Sequence, residues 1–170
     1  MIVRNAKFNE CKIISDIGSK TYTKTFGETL EEVDLEEHLV KEKSENYFKS
    51  RFNLDMFLVA EVRNSLVGYL QVTDMNLRVK DFIPILSGQL INAVYVNQDF
   101  QGSGIATQLI ESALNSKRIL KAPCVYVDVW ELNLRAIGLY KRFGFEVAGK
   151  CDVVIAGRVI GEDLVMVRNH

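Results

Sequence analysis

Histidine is nearly missing from this chain of 170 residues: only His38 and His170 are present. That scarcity argues against a Ser-His-Asp triad, a Cys-His dyad or a multi-histidine metal centre. Cysteine is also sparse. Cys11, Cys124 and Cys151 are odd in number and widely spaced, with no CxxC pair and no metal-type cluster, so reduced thiols and no bound metal are expected. No apolar run approaches the roughly 20 residues of a membrane span, and residues 1–7 lack the apolar core of a signal peptide. The expected location is the cytoplasm. Formal net charge is only −1, which gives no global field for nucleic acid or an anionic membrane. An enzyme built from these residues works without metal and without a catalytic histidine.

What remains is an ordinary soluble composition, 48% hydrophobic and 25% charged, in a length that suits one domain. The pattern predicts a short first strand at 2–4. Asn9 is placed to cap a helix over 10–25, with Ile13, Ile14 and Ile17 as its apolar face. Asp34-x-x-Glu37 reads as a capping box for a second helix through Lys43, and Ser44 starts a further helical segment to Phe52. Apolar runs at 56–62 and 66–73 flank Arg63-Asn64-Ser65 as a hairpin, and residues 74–88 read as a loop. A strand at 90–96 precedes a helix over 103–116, whose end is suited by Lys117 and Arg118. Strands follow at 123–130, 145–155 and 161–167, with a helix over 133–142 ending at Gly144 and with Gly157 and Gly161 between the last two strands. The fold class is therefore α/β: a mixed, mostly antiparallel sheet of about seven strands flanked by helices.

The densest signal is Gln101-Gly102-Ser103-Gly104-Ile105-Ala106, between the strand at 90–96 and a helix start. First-turn N–H groups have no intrahelical partner, the macrodipole adds positive potential, and glycines let a phosphate approach the backbone. Alone, such a turn is a weak signal. About thirty residues on comes Asn133-x-x-Ala136-x-x-x-Tyr140-x-x-x-Gly144-Phe145, and helical spacing sets Asn133, Ala136, Ile137 and Tyr140 on one face.

Together the two motifs resemble the GNAT superfamily of acetyl-CoA-dependent N-acetyltransferases: Gln101-x-x-Gly104-x-Ala106 is similar to its pyrophosphate turn, and Asn133 to Phe145 to its second motif. The order of elements is compatible over 1–170, read as a single N-acetyltransferase domain. The resemblance implies that backbone N–H groups of Gln101, Gly102, Ser103, Gly104, Ile105 and Ala106 hold the pyrophosphate of coenzyme A. It implies that Val94, Tyr95 and Val96 offer backbone groups to the pantetheine arm, with Asn133 bonding it further along. Tyr140 is then the general acid at the departing thiolate, after direct attack of a primary amine on the thioester. The fourth strand carries Leu90, Asn92 and Ala93 where many members have a glutamate. The nearest acidic candidates for the base are Asp128 and Glu131, and a water chain is an equal alternative.

For the acceptor, residues 28–37 carry six acids and no base. In the resembling family this region borders the amine pocket, so Glu31 and Glu32, with Trp130, are candidate acceptor-binding residues, although helix-terminal acids also serve simply as a solvated face. Tyr22-Thr-Lys-Thr-Phe26 and Asp163-Leu-Val-Met166 are similar to bacterial spermidine/spermine-type acetyltransferases. A polyamine or other small cationic amine is the first acceptor expected, a protein N-terminus or lysine the second. A non-catalytic acyl-CoA sensor is the alternative of a different class. Members of the family often dimerise, so a homodimer is open, but no interface patch stands out. Cys124 reads as a small buried residue and His38 as an ordinary surface residue of its helix.

Overall fold

A computed structural model describes residues 1–74, 88–155 and 157–169. Seven strands, β1 (Ile2–Asn5), β2 (Met56–Val62), β3 (Ser65–Asp74), β4 (Gln89–Val96), β5 (Cys124–Trp130), β6 (Glu146–Ile155) and β7 (Arg158–Asn169), form one sheet in the order β1-β2-β3-β4-β5-β7-β6. Strands β4 and β5 run parallel, whereas β1/β2, β5/β7 and β6/β7 are antiparallel. The expected mixed sheet flanked by helices is the observed architecture. The interior of the expected loop at 74–88 lies outside the described residues. The fold divides into two compact units, Met1–Gln71 with Ala93–Ala113 and Val72–Asn92 with Leu114–His170.

In the first unit, α1 (Cys11–Phe26), α2 (Glu32–Lys43) and α3 (Glu45–Arg51) carry most of the helical residues. Cys11, Ile14, Ile17, Gly18 and Tyr22 lie on the buried stripe of α1, with 11, 14, 18 and 22 at the three- and four-residue spacing a helix requires. Ile13 is exposed, because at 100° per residue it falls to one side of that stripe. The N-terminus of α1 also differs from expectation. Asn9 sits inside a 3-10 turn (Phe8–Glu10), and Glu10 is the residue that works there, its carboxylate accepting the Lys7 N–H at 2.7 Å. Similarly α2 starts at Glu32 with Glu31 as its cap. Asp34 is therefore not a cap but lies within the first turn, 4% exposed. Ser44 does cap α3, its Oγ accepting the Tyr47 N–H at 3.2 Å. The β2–β3 connection is tight: Arg63 and Asn64 hold φ of 50° and 63°, the paired left-handed conformation of a two-residue hairpin turn. Phe48, Phe57, Val59 and Tyr69 pack with Ile14 as the core. In α4 (Ile105–Leu114) Ile105, Leu109, Ile110 and Ala113 are all buried, as their spacing predicts.

The second unit is built on β5. Its first residues pair with β4 (Gln89 with Val125, Ile91 with Val127) and its whole length pairs with β7. Leu90, Cys124, Tyr126, Cys151 and Val165 form the apolar cluster, so Cys124 is the small buried residue expected. Lys117 and Arg118 do not close α4. They belong to a separate turn, α5 (Lys117–Leu120), capped by Ser116 Oγ, and Arg118 donates to Gln89 and, at 3.0 Å, to Asp74. A polar cap residue at 116 interrupts what periodicity alone reads as one helix. Helix α6 (Leu134–Arg142) ends before Gly144 at φ +81°, the left-handed C-terminal glycine anticipated from sequence. Gly161, expected between the last two strands, lies within β7.

Candidate active site

In the first unit, the candidate site at 101–106 is made of backbone. Gly102 and Gly104 both hold φ of +84°, a conformation that costs other residues roughly 1–2 kcal/mol. The helical ladder of α4 begins with the Gln108 N–H donating to the Gly104 carbonyl at 3.1 Å. The N–H groups of residues 105–107 therefore precede the first intrahelical acceptor and are directed outward at the positive end of the macrodipole. A β-carbon built on Gly104 meets nothing within 4 Å, so the space beside the turn is open to an anion. Gln101 tethers the turn to β4, its Nε2 donating to the Val96 carbonyl at 3.3 Å, and Ser103 Oγ donates to the Phe100 carbonyl at 2.5 Å. Val94 and Tyr95 are half-buried on β4. Close packing there is enforced by Gly68, where a β-carbon would lie 2.9 Å from the Tyr95 carbonyl oxygen.

In the second unit the candidate groups are side chains. Tyr140 is 6% exposed and meets Phe145 edge-on at 5.6 Å. Burial first, and then the Asp128 carboxylate, raises its hydroxyl above the ordinary phenol range, so it is a held proton at neutral pH. Among the described residues that hydroxyl has no hydrogen-bond partner. Asn133 uses its Oδ1 to cap α6, accepting the Ala136 N–H at 3.1 Å. Its amide NH2 is a separate pair of donors. Trp130 lies against Gly161: a β-carbon there would strike the indole at 2.0 Å. Glu131 pairs with Lys150 at 3.0 Å, and Lys150 also holds Glu162 at 2.6 Å.

The sheet brings together a group that spacing did not reveal. Oxygens of Asp128 and Asp163 and the Cys151 Sγ all lie within 4.8 Å of one another. Asp163 stands opposite Trp130 on one side and Cys151 on the other. The irregularities in the β6–β7 ladder, between Val147 and Gly149 and between Val153 and Val154, hide that register from any count along the sequence. The only available signal was the period-two alternation that puts Asp163 on one face with Val165.

A second cluster in the first unit was also missed. Lys43 is 5% exposed, with its Nζ over the rings of Tyr22 at 5.6 Å and Tyr95 at 5.4 Å, within reach of a cation–π attraction. His38 is not an ordinary surface residue. It stacks on Tyr22 at 4.2 Å, and its Nε2 is buried. Burial, with Lys43 next, lowers its pKa to about 4. Glu31 and Glu32 are exposed at the start of α2.

Four similarities accompany this geometry. A family model described as an acetyltransferase (GNAT) domain matches residues 53–147. A peptidyl-lysine N-acetyltransferase of Salmonella typhimurium is 35% identical over 74 residues, 44% of this chain and 48% of that protein. A spermine/spermidine N(1)-acetyltransferase of Bacillus subtilis is 27% identical over 63 residues, 36% of this chain and 41% of that protein. Each match thus spans about half or less of the relative's length. In overall fold the chain resembles the PaiA N-acetyltransferase of Thermoplasma acidophilum, solved in complex with coenzyme A, with a TM-score of 0.75, 16% identity and coverage of 99% and 98% of the two chains.

Proposed function

Because the chain belongs to the GNAT acetyltransferase domain family, we propose that it transfers acetyl from acetyl-coenzyme A to a primary amine. The observation that carries this reading is the turn of residues 101–106, with two left-handed glycines, a helix start behind them and open space beside Gly104. Those residues fit a pyrophosphate: outward N–H donors at a helix N-terminus are what such an anion requires. Val94, Tyr95 and Val96 are assigned to the pantetheine arm through their backbone, and Asn133 through the amide donors its capping role leaves over. The bound thioester supplies an activated acyl carbon with a thiolate leaving group.

The chain's own residues then have three tasks. Tyr140 holds a proton at its buried hydroxyl and gives it to the departing sulfur, a contribution of typically ~10²–10⁴-fold. Asp128, whose charge reaches Tyr140, is the preferred proton acceptor for the incoming amine. Glu131 ranks behind it, since its carboxylate is committed to Lys150 at the surface. Trp130, seated on Gly161, is assigned as a wall for the acceptor, and Glu31 and Glu32 as an acidic lip attracting it. No covalent enzyme intermediate is needed.

A polyamine or other small cationic amine is the first acceptor, supported by the acids at 28–37 and by similarity to the Bacillus enzyme. A protein lysine is the second, supported by the longer and more identical match to the Salmonella enzyme. A screen of free-thiol release from acetyl-CoA with polyamines, lysine peptides and peptide N-termini tests both. Release with a polyamine supports the first acceptor, and release with a lysine peptide alone supports the second. Tight coenzyme A binding without thiol release from any amine would leave a sensor.

A further inference from the structure

Asp163 has no task in the reaction as assigned above, yet it supplies a second carboxylate to Asp128. Their oxygens and the Cys151 sulfur lie within 4.8 Å of one another. They come from three adjacent strands, β5, β7 and β6, joined by the Asp163 pairings with Trp130 and Cys151. The Tyr140 hydroxyl is an independent pointer to a ligand here. It belongs to a side chain more than nine-tenths buried, is without a hydrogen-bond partner among the described residues, and feels the Asp128 charge.

We propose that Asp128 and Asp163 act as one coupled carboxylate pair that receives the acceptor's ammonium group and takes its proton, with Asp163 a positioning residue that works through Asp128. The inference rests on the acetyl-transfer reading. Two like charges this close do not ionise independently, and the last proton is held more tightly by the pair than by a lone aspartate. That is the property required of a base acting near neutral pH on an alkylammonium, which is itself almost wholly protonated there.

The step balances simply. The ammonium loses one proton to the pair and becomes a neutral amine. Its lone pair forms the C–N bond to the acyl carbon of the thioester as the C–S bond breaks, and Tyr140 protonates the leaving thiolate. The new amide nitrogen then sheds its second proton, which returns Tyr140 to its acid form, and the pair releases its own proton to solvent. The ionisable groups facing the pair among the described residues include Cys151 from β6, Tyr140 from α6, and Tyr126 and Cys124, which precede Asp128 on the same face of β5. Lys150 and Glu162 occupy the alternate positions of β6 and β7 and so lie on the other face, where Lys150 also holds Glu131.

The test is the pH profile of kcat/KM for the amine at saturating acetyl-CoA, with Asp163→Asn and Asp163→Ser as two neutral replacements and Asp163→Glu as the conservative one. Removing the second charge is expected to move the acid limb by about one pH unit to lower pH and to reduce the plateau about ten-fold, with acetyl-CoA KM unchanged. Asp163→Glu is expected to keep a limb near the wild-type position. An unmoved limb in a neutral variant that still binds coenzyme A would overturn the pair. So would wild-type activity that is abolished by a chelator and restored by zinc, since the three ligand atoms would then be holding a metal. If the wild type releases no thiol with any amine, it is the acetyl-transfer reading that fails.

Discussion

The turn at 101–106 and the cluster on β5, β6 and β7 are, in the proposed reaction, two solutions to recognising charge, one made of backbone and one of side chains. In the turn, φ of +84° at Gly102 and Gly104 and the start of α4 supply donors whose positions are fixed by the helix itself. Nothing there titrates, so it can bind but cannot move a proton. The cluster of Asp128, Asp163 and Cys151 is the reverse: it is held by cross-strand register, with Tyr140 brought to it on α6, and each of these groups can carry or lose a proton. The two regions should therefore respond to mutation in opposite kinetic parameters.

The largest effect expected is at Tyr140. Tyr140→Phe keeps the ring against Phe145 and removes only the held proton. It should lower kcat by about 10²–10⁴-fold while coenzyme A affinity, by calorimetry, stays within about two-fold. An unchanged kcat would remove Tyr140 from the chemistry and break the contrast on its side-chain half.

Gly104→Val is the complementary change and the next in size. The open space beside Gly104 means that no neighbour is struck. The substitution acts through a β-branched residue forced to φ +84° and through methyl groups placed where a phosphate would approach. Coenzyme A affinity should fall about ten- to a hundred-fold, with kcat at saturating donor changing far less. If kcat falls and affinity holds, the turn is not the anion site.

Legibility in the sequence follows the same division. Gly102, Gly104 and Gly144 could be read directly, because only a few residue types adopt left-handed φ and each sits at a helix terminus where the reason is local. Asn133 and Tyr140 could be read because a helix fixes their spacing on one face. Asp163 and Cys151 could not: their meeting depends on the register of a ladder with two irregularities. Lys43 was missed, and His38 misjudged, for a related reason. Their helix carries many charges, and burial against Tyr22 and Tyr95 is decided by residues from other elements. Ile13 shows the smaller error of the same kind, an apolar residue one step off the stripe.

His38 sharpens the contrast from within the first unit, since it asks whether that half of the chain is insensitive to pH. Its folded pKa of about 4 lies below the ordinary histidine value of about 6.5, so the unfolded chain takes up the proton first as pH falls. The stabilising contribution is fully present above about pH 6.5 and is lost progressively between there and about pH 4. The urea midpoint should decline over that window, and His38→Gln should flatten the decline. A decline of the same depth in His38→Gln would assign the acid sensitivity to carboxylates instead.

The smallest effect belongs to Glu31 and Glu32, which test whether a third kind of charge recognition, diffuse and exposed, contributes at all. Both are solvent-exposed, so their attraction for a cationic amine is screened within a Debye length of about 8 Å at physiological salt. Neutralising both as Gln should raise the amine KM only about two- to three-fold in dilute buffer, and the difference should vanish near 0.5 M salt, where the Debye length is about 4 Å. Neither kcat nor the donor KM should move, because neither residue is assigned to the donor site. A rise that survives high salt would mean direct contact with the acceptor, since a short-range hydrogen bond is not screened as a distant charge is. No rise at any salt would reduce the acids at 28–37 to a solvated helix start and leave the acceptor to be recognised by side chains buried near the reacting amine.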